Sequence, residues 1–305
     1  MGSHGDSLGA RRMTIRVVTD STADLDTEFM RTHGVTMVPL TVEWEGETHQ
    51  DRVDLDPVEF LQRLPAMKEV PHTAAPSPGS FRAAYEEALA SGAEGVLSIH
   101  LAGGLSGTVR SAEAAARLVD GPVHVIDTGS ASLGIGLLVW WAAIRARQGL
   151  SLESLAQEIE QLKGRLFALT APVTLEYLAR GGRIGQAARL VGTILDMKPI
   201  LLLEKGSFRP ERKVRGERQI VPALLSSLKE RVPEGTPMLA ALGHSGDPGQ
   251  HDALIQEVRQ RWQVLGWLDG VIGPVISSHV GPGAYGIIAL PLTADEVQRW
   301  KEGLS

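Results

Sequence analysis

The chain has 305 residues, is 43% hydrophobic and 22% charged, and carries a net charge of −6. That length exceeds one ordinary core and predicts two globular domains, while the negative balance argues against nucleic acid or an anionic membrane as the dominant partner. The absence of cysteine excludes disulfides, thiolate catalysis and cysteine-ligated zinc or iron–sulfur centres, and fits a cytoplasmic protein.

The first residues, MGSHGDSLGARRM, lack the apolar stretch of a signal peptide; they read either as a cloning scar, with Met13 as the native start, or as a natural tail. Thr14 to Asp20 reads as a β-strand, followed by a helix that hydroxyl and acidic residues cap and Gly34 stops. Val35 to Trp44 reads as one further strand. Asp56 and Pro57 read as N-cap and first residue of a helix over Val58 to Leu64. Three prolines and a glycine make the Val70–Ser80 region an irregular loop, with Ser77 or Ser80 capping the next helix. Strand Gly95–Leu101, a helix from about Ser106, strand Pro122–Thr128 and an apolar helix from Leu133 follow. The run Leu133–Ile144 is too short to span a bilayer and reads as a buried helix. This alternation predicts an α/β domain with parallel strand pairs.

A polar helix over Leu152 to Lys163 closes the expected first domain, residues 13–163, leaving 164–305 for a second α/β domain. Arg183 to Met197 places apolar residues 184, 187, 188, 191, 194 and 195 on one helical face, with Pro199 ending that helix. The stretches PILLLE, PMLAALGHS and GVIGPVISSHV read as strands, with a helix from Asp252 to Trp262 between the last two.

Few stretches carry chemistry by themselves. SIHLAGGLSGTVRSA runs from a strand through a glycine-rich turn into a helix start, the arrangement that binds phosphate or carboxylate groups. A plain tight turn explains it equally well, and no Gly-Lys-Ser/Thr follows to make a nucleotide loop. The histidines form no metal-ligand spacing. Asp51, Asp54 and Asp56 miss the glycine and glutamate of a calcium loop, and GHSGD at Gly243 is not a serine-hydrolase elbow. Arg209 to Arg218 holds five basic and two acidic residues. It reads as a solvated loop or hairpin face, or as a docking patch for an acidic partner.

Taken in order, VVTDSTADL at Val17, VPL at Val38, TAAPS at Thr73, LSGTVRSA at Leu105 and VIDTGSASLGIG at Val125 form a series. EYLARGGRIG at Glu176, MKPIL at Met197, RKVRG at Arg212 and SSHVGPGAYGI at Ser277 complete it. From about Ile15 to Leu290 the chain resembles the DegV family of bacterial fatty-acid-binding proteins. The resemblance implies a two-domain α/β fold: a parallel-sheet N-terminal domain, a C-terminal α/β domain and a long-chain fatty acid between them. The loop near Thr73 is expected to pack with the second domain.

The resemblance further implies a carrier without catalysis of its own or cofactor, binding no nucleic acid and meeting a membrane only transiently. It presents the fatty acid carboxylate to a separate fatty acid kinase, which makes an acyl-phosphate for phospholipid synthesis. Thr73 matches the carboxylate-binding threonine and His279 the histidine beside it. Arg183 and Arg215 match basic residues near the mouth, suited to phosphoryl transfer. The family's serines before the LSGT turn and after the threonine are replaced here by Ala102-Gly103 and by Ala74. That leaves the backbone N–H groups of Gly103 and Gly104 as expected donors. Ile184, Ala188, Val191, Ile194 and Leu195 are the expected tunnel wall, although the same periodicity describes plain core.

Two other classes fit the sequence. One is a protein acting on a small phosphorylated or keto compound, because the fold also resembles the substrate domain of dihydroxyacetone kinase, where a histidine holds substrate covalently. It requires His279 to face a small polar pocket. The other is a ligand-sensing regulatory module.

Overall fold

The computed structural model describes residues 15–67, 69–191, 197–246 and 251–304. The N-terminal half runs β1 (Ile15–Asp20), α1 (Thr27–His33), β2 (Val35–Val38), β3 (Thr41–Trp44), β4 (Glu47–Gln50) and α2 (Pro57–Arg63). It continues with β5 (His72–Ala74), α3 (Pro78–Ala90), β6 (Gly95–His100), α4 (Thr108–Ala116), β7 (Val123–Asp127), α5 (Leu133–Arg147) and α6 (Leu152–Lys163). Then come β8 (Phe167–Ala171), α7 (Glu176–Arg180), β9 (Met197–Glu204), β10 (Ser207–Arg215) and α8 (Ile220–Arg231). The chain ends with β11 (Pro237–His244), α9 (His251–Arg261), β12 (Gln263–Val271), α10 (Pro274–Val280), β13 (Tyr285–Pro291) and α11 (Ala294–Leu304).

The fold is α/β, as expected. The N-terminal half holds a wholly parallel sheet, β2-β1-β6-β7, and the C-terminal half a mixed sheet, β10-β9-β8-β13-β11-β12, in which β11 and β12 alone pair in parallel. A small antiparallel sheet, β4-β3-β5, stands apart. Strand side chains alternate between faces, and here both faces are covered. Val17, Leu97 and Ile99 face a central core, while Val18 and Val96 face α3 and α4. In the mixed sheet Ala241, Ile288 and Leu290 join the central core, while Leu242, Ile287 and Ala289 pack with α8 and α9. Burial on both faces is why PILLLE and PMLAALG read as unbroken apolar runs. Helix α5 lies between the two sheets, packing on β1 and β6 on one side and on β11, β12 and β13 on the other. Its residues are therefore buried all round.

Local chemistry sets most boundaries. The Asp56 carboxylate accepts from the N–H groups of Val58 and Glu59, with Pro57 as first helical residue. Ser77 caps α3 through the N–H of Ser80.

Three expected elements are corrected. Val35 to Trp44 is two strands in two sheets. Pro39 lacks the N–H that a continuous ladder needs, and the next N–H, that of Leu40, donates to the Ser21 hydroxyl. The expected helix over Arg183 to Met197 is a 3₁₀ segment over Gly185–Leu190, and Met197 and Pro199 lie in β9. Ala187 and Leu190, three residues apart, are its buried pair, the stacking of a 3₁₀ turn rather than an α-helical face. GVIGPVISSHV is the end of β12 followed by helix α10. Gly273 is its N-cap and Pro274 its first residue, and the N–H groups of Gly273 and Val275 donate to the carboxylates of Asp24 and Asp51. The Arg209–Arg218 segment supplies most of β10, where Arg212 pairs with Glu230, and Glu211 with Arg231.

Candidate functional site

Helix α10 carries His279 across the gap between the halves to β5. There Nε2 lies 2.8 Å from the Thr73 hydroxyl, joining residues 206 positions apart. The backbone makes room for the ring: a Cβ on Gly181 would lie 2.3 Å from His279 Nδ1, so residue 181 has to be glycine. That Nδ1 is buried and has no hydrogen-bond partner among the described residues. Arg183 stands beside the pair, donating through Nε to the Leu105 carbonyl at 3.0 Å and through Nη1 to the Gly181 carbonyl at 2.6 Å. Loss of water around the ring, with a smaller contribution from the Arg183 charge, pulls the His279 pKa down to about 4. At neutral pH the site is thus a neutral imidazole, a hydroxyl and a fixed positive charge.

These groups close one end of a cavity. Thr73, Arg183 and His279 line it with Leu105, Ser106 and Gly107 of the turn before α4, and with aliphatic residues such as Leu40, Leu101 and Val275; its volume is about 110 Å³. Beyond it lies a second cavity of about 60 Å³, between α10 and the inner face of the mixed sheet. Its wall is nearly all apolar, with Ala168, Leu169, Leu203 and Ile288 among the lining residues. In the other direction Thr73, Arg183 and His279 also line an outward groove of about 380 Å³ with His72 and Arg180. A chamber with apolar walls and a polar, positively charged mouth suits an amphiphile whose charged end is an anion.

The sequence-predicted residues divide. Thr73, Ala74, Arg183 and His279 come together around the cavity mouth. Ala102, Gly103 and Gly104 do not line it. Ala102 is fully buried, and the Gly103 N–H, expected as a head-group donor, is taken by the Asp127 carboxylate at 3.1 Å. The cavity-facing residues of that turn are Leu105, Ser106 and Gly107, which sequence reasoning missed although Ser106 lies inside the LSGT motif. Arg215 lines a separate open groove with Arg180, Lys198 and Val191. Of the expected tunnel wall, Ile184 packs against the central core, and Ala188 and Val191 are exposed; none of the three lines either cavity. Ile194 and Leu195 lie outside the described residues. The apolar wall comes instead from β8, β9, β13 and α10. Phe208, which lines both cavities, carried no signal in the sequence.

This geometry defines a class: α/β proteins with an apolar cavity at the carboxyl ends of a parallel sheet, backed by a second, mixed sheet and closed by a polar cluster at the mouth. Within that class, the chain belongs to the DegV family; the family model for "Uncharacterised protein, DegV family" matches residues 14–292. A fatty-acid-binding DegV family protein of Thermus thermophilus is 40% identical and matches with a TM-score of 0.87 over 92% of this chain and 100% of that one. A stearic-acid-binding protein of Eubacterium ventriosum is 26% identical, with a TM-score of 0.81 over 91% and 98% of the two chains. A DegV domain-containing protein of Deinococcus radiodurans is 37% identical over 286 residues, 92% of this chain and 100% of the relative.

Proposed function

We propose that this protein binds a long-chain fatty acid, with the carboxylate against Thr73, His279 and Arg183 and the acyl chain along the apolar cavities. The observation that carries this reading is the cluster of Thr73, Arg183 and His279 at the mouth of a chamber whose remaining lining is mostly apolar. Fatty acid binding by the relatives from Thermus thermophilus and Eubacterium ventriosum supports it. Burial of an acyl chain yields about 0.8 kcal/mol per CH₂, so roughly fifteen groups give about 12 kcal/mol before the costs of association. Tail burial therefore dominates affinity, and the polar cluster sets orientation.

The carboxylate so placed faces the outward groove bearing Arg180 and Arg183. The protein then acts as a carrier that offers the carboxylate to a separate cytoplasmic kinase for acyl-phosphate formation, without catalysing the reaction itself. The reading as a protein for a small phosphorylated or keto compound needs a small polar pocket at His279, and the aliphatic lining disfavours it.

Denaturing extraction of the purified protein followed by mass spectrometry is expected to release a fatty acid between myristate and stearate in length. Absence of lipid, together with no uptake of added palmitate or oleate, would falsify the reading.

A further inference from the structure

The two cavities share four lining residues, Ala131, Phe208, Ile276 and Val280. These form a collar between the polar end and the apolar end. We propose that Phe208 is the gate of this collar, and that its side chain decides which acyl chains pass from the mouth into the inner cavity. The inference rests on the fatty acid reading above and deepens it.

The other collar members are poorly suited to moving. Ala131 has a single methyl group. Ile276 and Val280 are β-branched and stiff at χ1, and they sit on α10, whose first turn is tied to Asp24 and Asp51. Phe208 is the one long side chain with two soft torsions.

Its backbone, in contrast, is pinned. Phe208 follows the Lys205-Gly206 turn of the β9–β10 hairpin, where both residues have positive φ. The Gly206 N–H donates to the Gly129 carbonyl at 2.7 Å. The Gly206 carbonyl lies where a Cβ on Gly104 would come within 2.6 Å of it. The hairpin tip is thus locked onto two loops of the N-terminal half by close backbone contacts. This accounts for the glycines before LSGT by packing rather than by head-group binding. The passage opens by rotation of the Phe208 ring on a fixed strand, not by a swing of the hairpin. A short acid is held at the mouth without crossing the collar; a long one has to cross it.

The test uses the full chain, delipidated, with octanoate and palmitate as probes and stopped-flow measurement of uptake. Phe208→Ala is expected to speed palmitate uptake roughly tenfold, and Phe208→Trp to slow it by a similar factor, the scale on which apolar pockets discriminate single groups. Octanoate, which meets Phe208 only from the mouth cavity, should change by a smaller factor, so that the ratio of palmitate to octanoate uptake rates shifts at least roughly threefold in each variant. Phe208→Leu, the milder truncation, should follow Phe208→Ala in direction, and circular dichroism establishes which variants are folded. Equal changes for the two acids in folded variants, or no change for either, overturn the gate. Wild-type protein that takes up neither acid overturns the fatty acid reading itself, and the gate with it.

Discussion

His279 illustrates how burial beside a fixed positive charge keeps an imidazole neutral at the mouth of a cavity. Removal from water and the Arg183 guanidinium hold it neutral, at about 4. Its folded pKa lies below the ordinary histidine value of 6.5, so the unfolded chain binds the proton first as pH falls. The contribution of His279 to stability is complete above pH 6.5 and is lost as pH falls through 4. His279→Asn should flatten the dependence of the urea midpoint on pH across that window; an unchanged slope removes His279 as the source. With a carboxylate placed as proposed, Thr73→Ala would delete a hydroxyl bond to a charged group, worth about 1.5 kcal/mol, so palmitate affinity should fall roughly tenfold. His279→Ala should leave tail burial intact, costing palmitate affinity about as much as Thr73→Ala, but depress acyl-phosphate formation by a cognate kinase well beyond that loss. Unchanged turnover there would take His279 out of the site.

At the scale of elements, helix α10 links the site to the far side of the cavity wall. Its C-terminal end holds His279, and its N-terminal end meets two buried carboxylates from the other half. Asp24 accepts from the Gly273 N–H, Arg52 and Ser132, and Arg52 also reaches the Val271 carbonyl. Asp51 accepts from the Val275 N–H, faces Ser21, Asp24 and Arg52, and has one oxygen without a hydrogen-bond partner. Burial, reinforced by the Asp24 charge, pushes Asp51 up to about 7. A folded pKa above the ordinary 3.8 means that this contribution to stability is full below that value and is lost as pH rises through 7. Asp51→Asn keeps an acceptor for Val275 and has no charge to bury. Urea unfolding at pH 5 and pH 8 should show the variant gaining on wild type at the higher pH; a parallel pair of midpoints would refute the assignment.

The same helix shows where local reading fails. Val271, Ile272, Val275 and Ile276 have strand-like composition, while the carboxylates that favour the helix start lie more than 200 positions away along the chain. Conversely, Asp56-Pro57 and Ser77-Pro78 were legible because a cap and its helix are neighbours in sequence. Thr73 and His279 were legible only through the order of motifs along the whole chain. The cavity wall was not, because alternation along β8, β9 and β13 marks two buried faces alike and says nothing of which face leaves a gap.

At the scale of the whole molecule, the expected division at 163/164 meets a core that ignores it. The central hydrophobic cluster joins Leu97 and Ile99 of the parallel sheet, Leu137 and Trp141 of α5, and Leu239 and Ile288 of the mixed sheet. The last helix, α11, folds back on α5, with Trp300 stacked on Trp141 at 5.6 Å between ring centroids and edge-on to Trp140 at 4.8 Å. A fragment of residues 13–163 would expose the α5 face that β11, β12, β13 and α11 cover, a continuous apolar surface of the kind soluble monomers avoid. The two halves should therefore unfold as one unit. Calorimetry of the full chain should show a single transition with calorimetric and van't Hoff enthalpies in agreement, and it should coincide with the change in tryptophan emission from the cluster that joins α5 to α11. The fragments 13–163 and 164–305, expressed separately, should aggregate or remain unfolded. Two resolved transitions, or a soluble and folded 13–163 fragment, would show that the halves are independent domains and that the shared core contributes little to holding them together.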